Sequence, residues 1–277
     1  MECGSAAAAF PCAAEANTGA FDDSGAQGKA AASPPHSIDM RGATLSFVTY
    51  VEIQPSEVLR PWVECFWRVT GAVGEQRILP DGCADLVFDR ANGEAIVVGT
   101  MTKPLLFTSR PESELLGVRF LPGRAAAFLR IPLAEITDAR VPLADVWKGW
   151  NRDDLDVATL ETELRRRLVL DRDLRVDQAI ACLIETGGAA RVSNVAREAG
   201  LTRQHLARQF LFHVGVSPKV FARVVRFRRV LDTAQKSREV DWADLAAEHG
   251  YYDQSHLIGE FRELAGTTPS VFQISNR

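Results

Sequence analysis

The sequence has no run approaching eighteen consecutive apolar residues, which excludes a membrane-spanning helix. Cysteine is sparse and unpatterned: Cys3, Cys12, Cys65, Cys83 and Cys182 are odd in number and free of any C-x-x-C spacing. Such a set argues against a disulfide framework and a structural zinc site, and fits a reducing cytoplasm. Histidine is missing where chemistry would want it. None lies between His36 and His205, so the N-terminal part beyond the leader has no imidazole to act as a base or to complete a metal site. No export signal is expected, since Glu2 and polar interruptions leave neither a basic n-region nor an apolar core. What remains, with 277 residues, 46% hydrophobic and 25% charged, is the composition of a globular protein of one or two domains.

The first forty residues are a different material, with twelve alanines and only Phe10, Phe21 and Ile38 as larger hydrophobes. They are expected to be a disordered leader. The abrupt change of composition makes Met40 a candidate translation start, an expectation that native peptides from residues 1–39 would overturn.

The formal net charge of −4 conceals an uneven distribution. Residues 1–187 carry a net of −8, residues 188–238 a net of +9, and residues 239–277 a net of −5. A basic segment inside an acidic chain is either a solvated helix surface or an electrostatic footprint for a polyanion.

An internal repeat decides between them. V-x-x-V-A-x-x-x-G from Val192 to Gly200 returns as W-x-x-L-A-x-x-x-G from Trp242 to Gly250, at an offset of 50. Beyond the glycines the offset becomes 51 and holds: His205-Leu206 with His256-Leu257, Phe210 with Phe261, Gly215 with Gly266, Ser217-Pro218 with Thr268-Pro269. In each copy the apolar spacing i, i+3, i+4 describes a short amphipathic helix, and the glycine suits a left-handed C-cap. Thr202 and Asp253 then serve as N-caps of a second helix, whose Leu206/Phe210 and Leu257/Phe261 face inward. The pattern is a helix-turn-helix, present twice: about 191–213 and about 241–264. Asp241 gives the second copy an N-cap, whereas Arg191 leaves the first without one. Between them Ser217 and Pro218 start a linking helix, 217–235, with Phe221, Val224, Val225 and Leu231 inward and Lys219, Arg223, Arg226, Arg228 and Arg229 elsewhere.

A protein-interaction adaptor would explain the leucines and phenylalanines of such a repeat. It gives no reason for the +9 segment, nor for Arg203, Gln204, His205 and Arg208 opposite Leu206 and Phe210, where donors for base edges and phosphates belong. Lysines and arginines of 188–238 are expected to supply the salt-dependent phosphate contacts.

Residues 172–277 resemble the C-terminal domain of AraC/XylS-type transcriptional regulators. The resemblance rests on V-A-R-E-A-G-L-T-R-Q-H-L-A-R-Q-F (195–210), G-V-S-P (215–218), G-Y-Y-D-Q-S-H-L-I-G-E-F-R (250–262) and G-T-T-P (266–269). It implies an all-α domain of two helix-turn-helix units joined by a long helix, with recognition helices in successive major grooves of double-stranded DNA. Carried over by position, the readers are Arg203, Gln204, Ala207 and Arg208, with Thr202 and His205 nearer the backbone, then Gln254, Ser255, His256 and Ile258. Many relatives have arginine where this chain has Gly259, so the first unit is expected to supply most of the affinity and the second to tune it. The resemblance also implies a cytoplasmic bacterial regulator that is not an enzyme and carries no cofactor or metal. A small-molecule effector, RNA polymerase and a second copy of the chain remain open as further partners.

Ahead of it, residues 43–150 read as short strands (Leu45–Val51, Trp62–Val69, Arg77–Leu79, Asp85–Phe88, Ala95–Gly99, Glu114–Phe120) separated by turn residues. The fold class is therefore multi-domain: an α+β domain built on a β-rich barrel or sandwich, then the all-α unit. Helical patterns follow at 122–130, 157–170 and 173–186. The second, within a 151–171 linker, is expected to pack on its own domain rather than pair with a second copy. I-L-P-D-G-C-A-D-L-V-F (78–88) and L-G-V-R-F-L-P-G-R (116–124) resemble a sensor-like domain that accompanies this module in bacterial regulators. Around Asp81, Cys83 and Asp85 four readings are open. Asp81-Gly82 is a tight turn beside a buried Cys83; these residues line an effector pocket with Trp67, Arg119 or Arg124; Cys83 is a nucleophile in an enzyme or repair protein with a DNA-targeting tail; or the three hold a metal. Flanking carboxylates suppress a thiolate, which disfavours the third.

Overall fold

The computed structural model describes residues 38–39, 49–71, 75–108, 113–150, 155–170, 172–236 and 240–275. The leader, and with it the question of Met40, lies outside them apart from Ile38 and Asp39.

Among the described residues the N-terminal domain has nine strands: β1 (Ile38–Asp39), β2 (Thr49–Ile53), β3 (Val63–Thr70), β4 (Gln76–Ile78), β5 (Asp85–Asp89), β6 (Glu94–Val98), β7 (Leu105–Phe107), β8 (Glu114–Phe120) and β9 (Arg140–Pro142). They make a six-stranded antiparallel sheet in the order β2-β3-β8-β5-β6-β9 and a three-stranded sheet β1-β4-β7. Alternation along each strand sorts side chains onto two faces. Phe66, Leu86, Phe88, Leu116, Val118 and Phe120 enter a core shared with α1 (Ala126–Leu129), α2 (Leu143–Val146) and α3 (Val157–Arg167). Trp67, Val69, Val87, Leu115 and Arg119 face the small sheet instead. Gly117 sits between the rows; a Cβ there would come within 1.9 Å of the Trp67 indole, so only glycine lets that ring lie flat on β8. Leu160 and Leu164 of α3 are fully buried in this core, so the helix packs on its own domain, as expected, and is part of it rather than a free linker.

The C-terminal domain is helical: α4 (Leu174–Glu185), α5 (Val192–Glu198), α6 (Arg203–His213), α7 (Pro218–Lys236), α8 (Trp242–Glu248), α9 (Gln254–Ala265) and α10 (Pro269–Ser275). Among the described residues no helix is long and apolar enough to cross a membrane. The two repeats close their turns with the same hydrogen bonds: Gly200 N–H to Arg197 O and Leu201 N–H to Ala196 O in one, Gly250 N–H to Ala247 O and Tyr251 N–H to Ala246 O in the other. Each unit has its own core, Leu206 and Phe210 with α4 in the first, Leu257 and Phe261 in the second, and α7 contributes to both.

The domains interlock. Leu79, 3% exposed, completes the core of the second helix-turn-helix, a burial worth about 1.5–3 kcal/mol. Three residues on, Gly82 at φ +84° lies against Phe221 of α7, where a Cβ would come within 2.6 Å of the ring. The Thr100 and Thr137 hydroxyls donate to the Val214 and Gly215 carbonyls just past α6, at 2.5 and 2.6 Å.

Candidate nucleic-acid interface and the cavities beside it

The expected readers are at the N-terminal ends of α6 and α9. Thr202 caps α6 by accepting from the His205 N–H at 3.2 Å, and Asp253 caps α9 by accepting from the His256 N–H at 2.8 Å. Leu206, Phe210, Leu257 and Phe261 point fully inward. That leaves Thr202, Arg203, Gln204, Arg208, Gln254, Ser255 and His256 exposed, with Ala207 and Ile258 half-buried. His205 is half-buried, and its Nε2 lies 3.2 Å from the Gln209 amide nitrogen. His256 Nδ1 accepts from the Tyr252 N–H at 3.3 Å, fixing its ring over the turn. Gly259 has open space where a side chain would project, so the missing arginine leaves a vacant position on this face.

The basic linking helix differs from expectation. Arg228 is 7% exposed, buried beside Asp81 of the N-terminal domain, and burial pulls its pKa down. Arg223 and Arg226 donate to the buried Glu260 of α9 at 2.8 and 3.2 Å, and Arg223 also pairs with Glu263. Arg229 reaches the Glu185 carbonyl at 3.2 Å. Four arginines counted toward the phosphate contacts therefore face or brace the neighbours of α7. The exposed cations left for that role include Arg191, Arg197, Arg203, Arg208 and Lys219.

The residues singled out around Asp81 fall into separate places. Trp67, Asp85 and Arg119 line a cavity of about 90 Å³ between the two sheets, walled by Ile78, Val98, Met101, Leu105 and Phe107. Trp67 Nε1–H donates to Asp85 at 3.0 Å, and Arg119 Nε lies 3.4 Å from Asp85 and 3.8 Å from Asp81. Burial pushes the Asp85 pKa up to about 6 against the pull of Arg119. Burial also opposes the Arg119 charge, but Asp85, Asp81 and Glu64 hold that guanidinium firmly cationic. Asp81 accepts from the Cys83 N–H at 2.9 Å and, with Gly82, makes the turn. Cys83 is buried and its thiol pKa is raised well above the ordinary value by burial, then by Asp81 and Glu64; it is no poised nucleophile. No cluster fit to hold a metal occurs among the described residues.

Arg124 is elsewhere. It lines a cleft of about 350 Å³ between the domains, with Trp62, Arg130, Arg172, Phe212 and His213. Arg119 and Arg124 are five apart in sequence, yet β8 ends between them and the chain turns to the other side of the sheet. Gln76, Met101 and Phe107 of the first cavity, and Arg130, Arg172 and Phe212 of the second, carried no periodicity or motif that would have drawn attention to them.

Residues 195–274 match the model of a helix-turn-helix domain, and residues 51–142 match that of a domain of unknown function, DUF6597. No curated protein matches the chain. Among solved structures, the fold is similar to an apo ToxT variant from Vibrio cholerae, at 12% identity over 86% of this chain and 100% of that one, TM-score 0.40. It is similar to unsaturated fatty acid-bound wild-type ToxT of the same organism at 11% identity over 83% and 95%, TM-score 0.39. With its two units, their shared turn geometry and the exposed polar ends of α6 and α9, the C-terminal half of the chain is an AraC-type helix-turn-helix domain, and a DUF6597 domain precedes it.

Proposed function

We propose that this regulator binds specific duplex DNA by placing α6 and α9 in two successive major grooves, and that an effector acting on its N-terminal domain alters that binding. The observation that carries the reading is the pair of capped helices whose exposed ends bear Arg203, Gln204 and Arg208 in one case and Gln254, Ser255 and His256 in the other. They are joined by α7, a helix of 19 residues and about 28 Å that packs into the cores of both units. The arginines position the protein on phosphates or read guanine, and the amides and hydroxyl read base edges.

Effector response is supported by how the domains meet. The segment Leu79–Cys83 touches both helix-turn-helix cores and, through Asp81, lies between Arg119 of the inter-sheet cavity and Arg228 of α7. A change of charge or packing at Asp85 and Arg119 would be felt at the helix that sets the spacing of the readers. The protein would work in the cytoplasm, with DNA as its principal partner.

Anisotropy titration of the full chain against duplex from the gene's own upstream region and a scrambled duplex, at several salt concentrations, tests the reading. Selective binding with a log–log salt slope of about −4 or steeper is expected, equivalent to roughly four or more phosphate contacts. Absence of binding even at low salt would make the repeat a protein-docking surface.

A further inference from the structure

We propose that Tyr252 is a phosphate-contacting residue of the second helix-turn-helix unit, its hydroxyl donating to the DNA backbone beside the groove that α9 enters. This rests on the reading of the chain as a DNA-binding regulator and adds a positioning contact to the readers named above.

Register singles this residue out. The two repeats run at an offset of 50 through Gly200 and Gly250 and, by their matching turn hydrogen bonds, through Leu201 and Tyr251. At the caps, Thr202 and Asp253, the offset is 51. The residue by which the second turn is longer is therefore Tyr252. Its neighbour Tyr251 is buried in the core of the second unit, whereas Tyr252 is 92% exposed, more than any other large hydrophobic side chain among the described residues. A lone exposed aromatic is ordinary on a protein surface, but this one is inserted immediately ahead of a helix whose N-terminal residues are aimed at a groove.

The turn that carries it is tied down. The Tyr252 N–H donates to His256 Nδ1 at 3.3 Å, and the Tyr251 and His256 rings meet edge to face at 5.2 Å. The phenol thus projects from a fixed backbone and has few torsions to immobilise on contact.

The unit also lacks the usual means of holding a phosphate. Residues 239–261, through α8, the turn and the first two turns of α9, contain no lysine or arginine and six carboxylates. Over the matching stretch, 189–210, the first unit has Arg191, Arg197, Arg203 and Arg208. On α9 the first cation, Arg262, comes more than two turns beyond the cap. The helix N-terminus itself is a ready anion site at α6, where the cap is the neutral Thr202. At α9 the exposed Asp253 carboxylate already occupies that place and repels a second anion. A DNA phosphate must stand off from Asp253, and the donor that meets it there has to be long, outward and free of competing carboxylates' partners. A tyrosine hydroxyl directly before the cap meets those terms.

The test uses the full chain and a duplex that it selects from a random-sequence pool, read by fluorescence anisotropy. Tyr252→Phe keeps the ring and the backbone N–H and should weaken binding about fivefold, with Tyr252→Ala at least as weak. Neither should alter the log–log salt slope, since no cation is removed, whereas Arg208→Ala should make it shallower by about 1. Methylphosphonates placed one at a time along the duplex should reveal one phosphate whose neutralisation weakens the parent chain about fivefold and leaves Tyr252→Phe unaffected. An unchanged Kd for Tyr252→Phe, a salt slope that falls with it, or the absence of such a phosphate overturns the proposal. So does a loss reproduced by replacing one thymine with uracil, which would make the ring a reader of a thymine methyl. Failure of the parent chain to select any duplex would overturn the DNA-binding reading and the proposal with it, a result distinct from selective binding that Tyr252→Phe leaves intact.

Discussion

The two helix-turn-helix units share a backbone plan and differ in what surrounds it. Position by position, Arg203 faces Gln254, Gln204 faces Ser255, Arg208 faces Gly259 and Gln209 faces Glu260. The first unit presents cations outward and is held by the N-terminal domain past the end of its recognition helix, through Val214 and Gly215. The second turns a carboxylate inward, where Glu260 draws Arg223 and Arg226 of α7 onto α9. One geometry thus serves two arrangements, a cationic outward face in the first unit and an internal clamp that fixes the linking helix in the second.

The largest expected effect lies in that clamp. Glu260→Ala strands two arginines next to a buried site and should cost about 3 kcal/mol of unfolding free energy in urea, whereas Gln209→Ala should cost under about 0.5 kcal/mol. Similar losses would mean that the inward carboxylate is incidental. Next comes the exchange of the outward position. Arg208→Ala should raise the operator Kd roughly tenfold, and Gly259→Arg, entering open space, should lower it by a comparable factor in anisotropy titrations. His256→Ala should cost only about two- to threefold; losses equal to those of Arg208→Ala would erase the proposed division of labour.

A smaller effect probes what the units share. Thr202→Ala and Asp253→Ala each remove a side-chain cap and should destabilise by about 1 kcal/mol, while Arg191→Ser supplies the cap that α5 lacks and should stabilise by a similar amount. The smallest effect is in pH. His249, at the end of α8, stands where the first unit has the buried Ala199, and burial lowers its pKa. Below about pH 6.5 the unfolded chain takes up a proton that the folded one resists, so stability falls as the solution is acidified. His249→Ala should flatten the slope of Tm between pH 7 and 5, and an unchanged slope would place the titrating group elsewhere.

The helical domain was legible because its signals are local. A residue at i and its partners at i+3 and i+4 share a face whatever the rest of the chain does, so Leu206 and Phe210 fix where Arg203, Gln204 and Arg208 must point. Strands β3, β5, β6 and β8 were also found within a residue or two, from alternation and turn residues. The misses share a cause. β7 is three residues long after Pro104, and β9 is an edge strand ending in Pro142; neither is long enough to show a period. Arg223, Arg226 and Arg228 looked solvent-facing because their partners, Glu260 and the Asp81 cluster, come from 30 to 150 residues away. Pockets are harder again: the inter-sheet cavity takes Gln76 from one sheet and Arg119 from the other, and no spacing rule links them.

The fit of Gly82 against Phe221, with Leu79 seated in the second helical core, bears on how such regulators can be recombined. Grafting this N-terminal domain onto a foreign helix-turn-helix pair would carry along a protruding leucine and a flat glycine with nothing shaped to receive them. Cutting the helical half free would leave an open socket and a bare phenylalanine edge, inviting self-association that could pass for weak operator binding. The inheritable unit is therefore the joined pair, and a hybrid made from it needs Leu79, Gly82, Phe221 and Arg228 moved together.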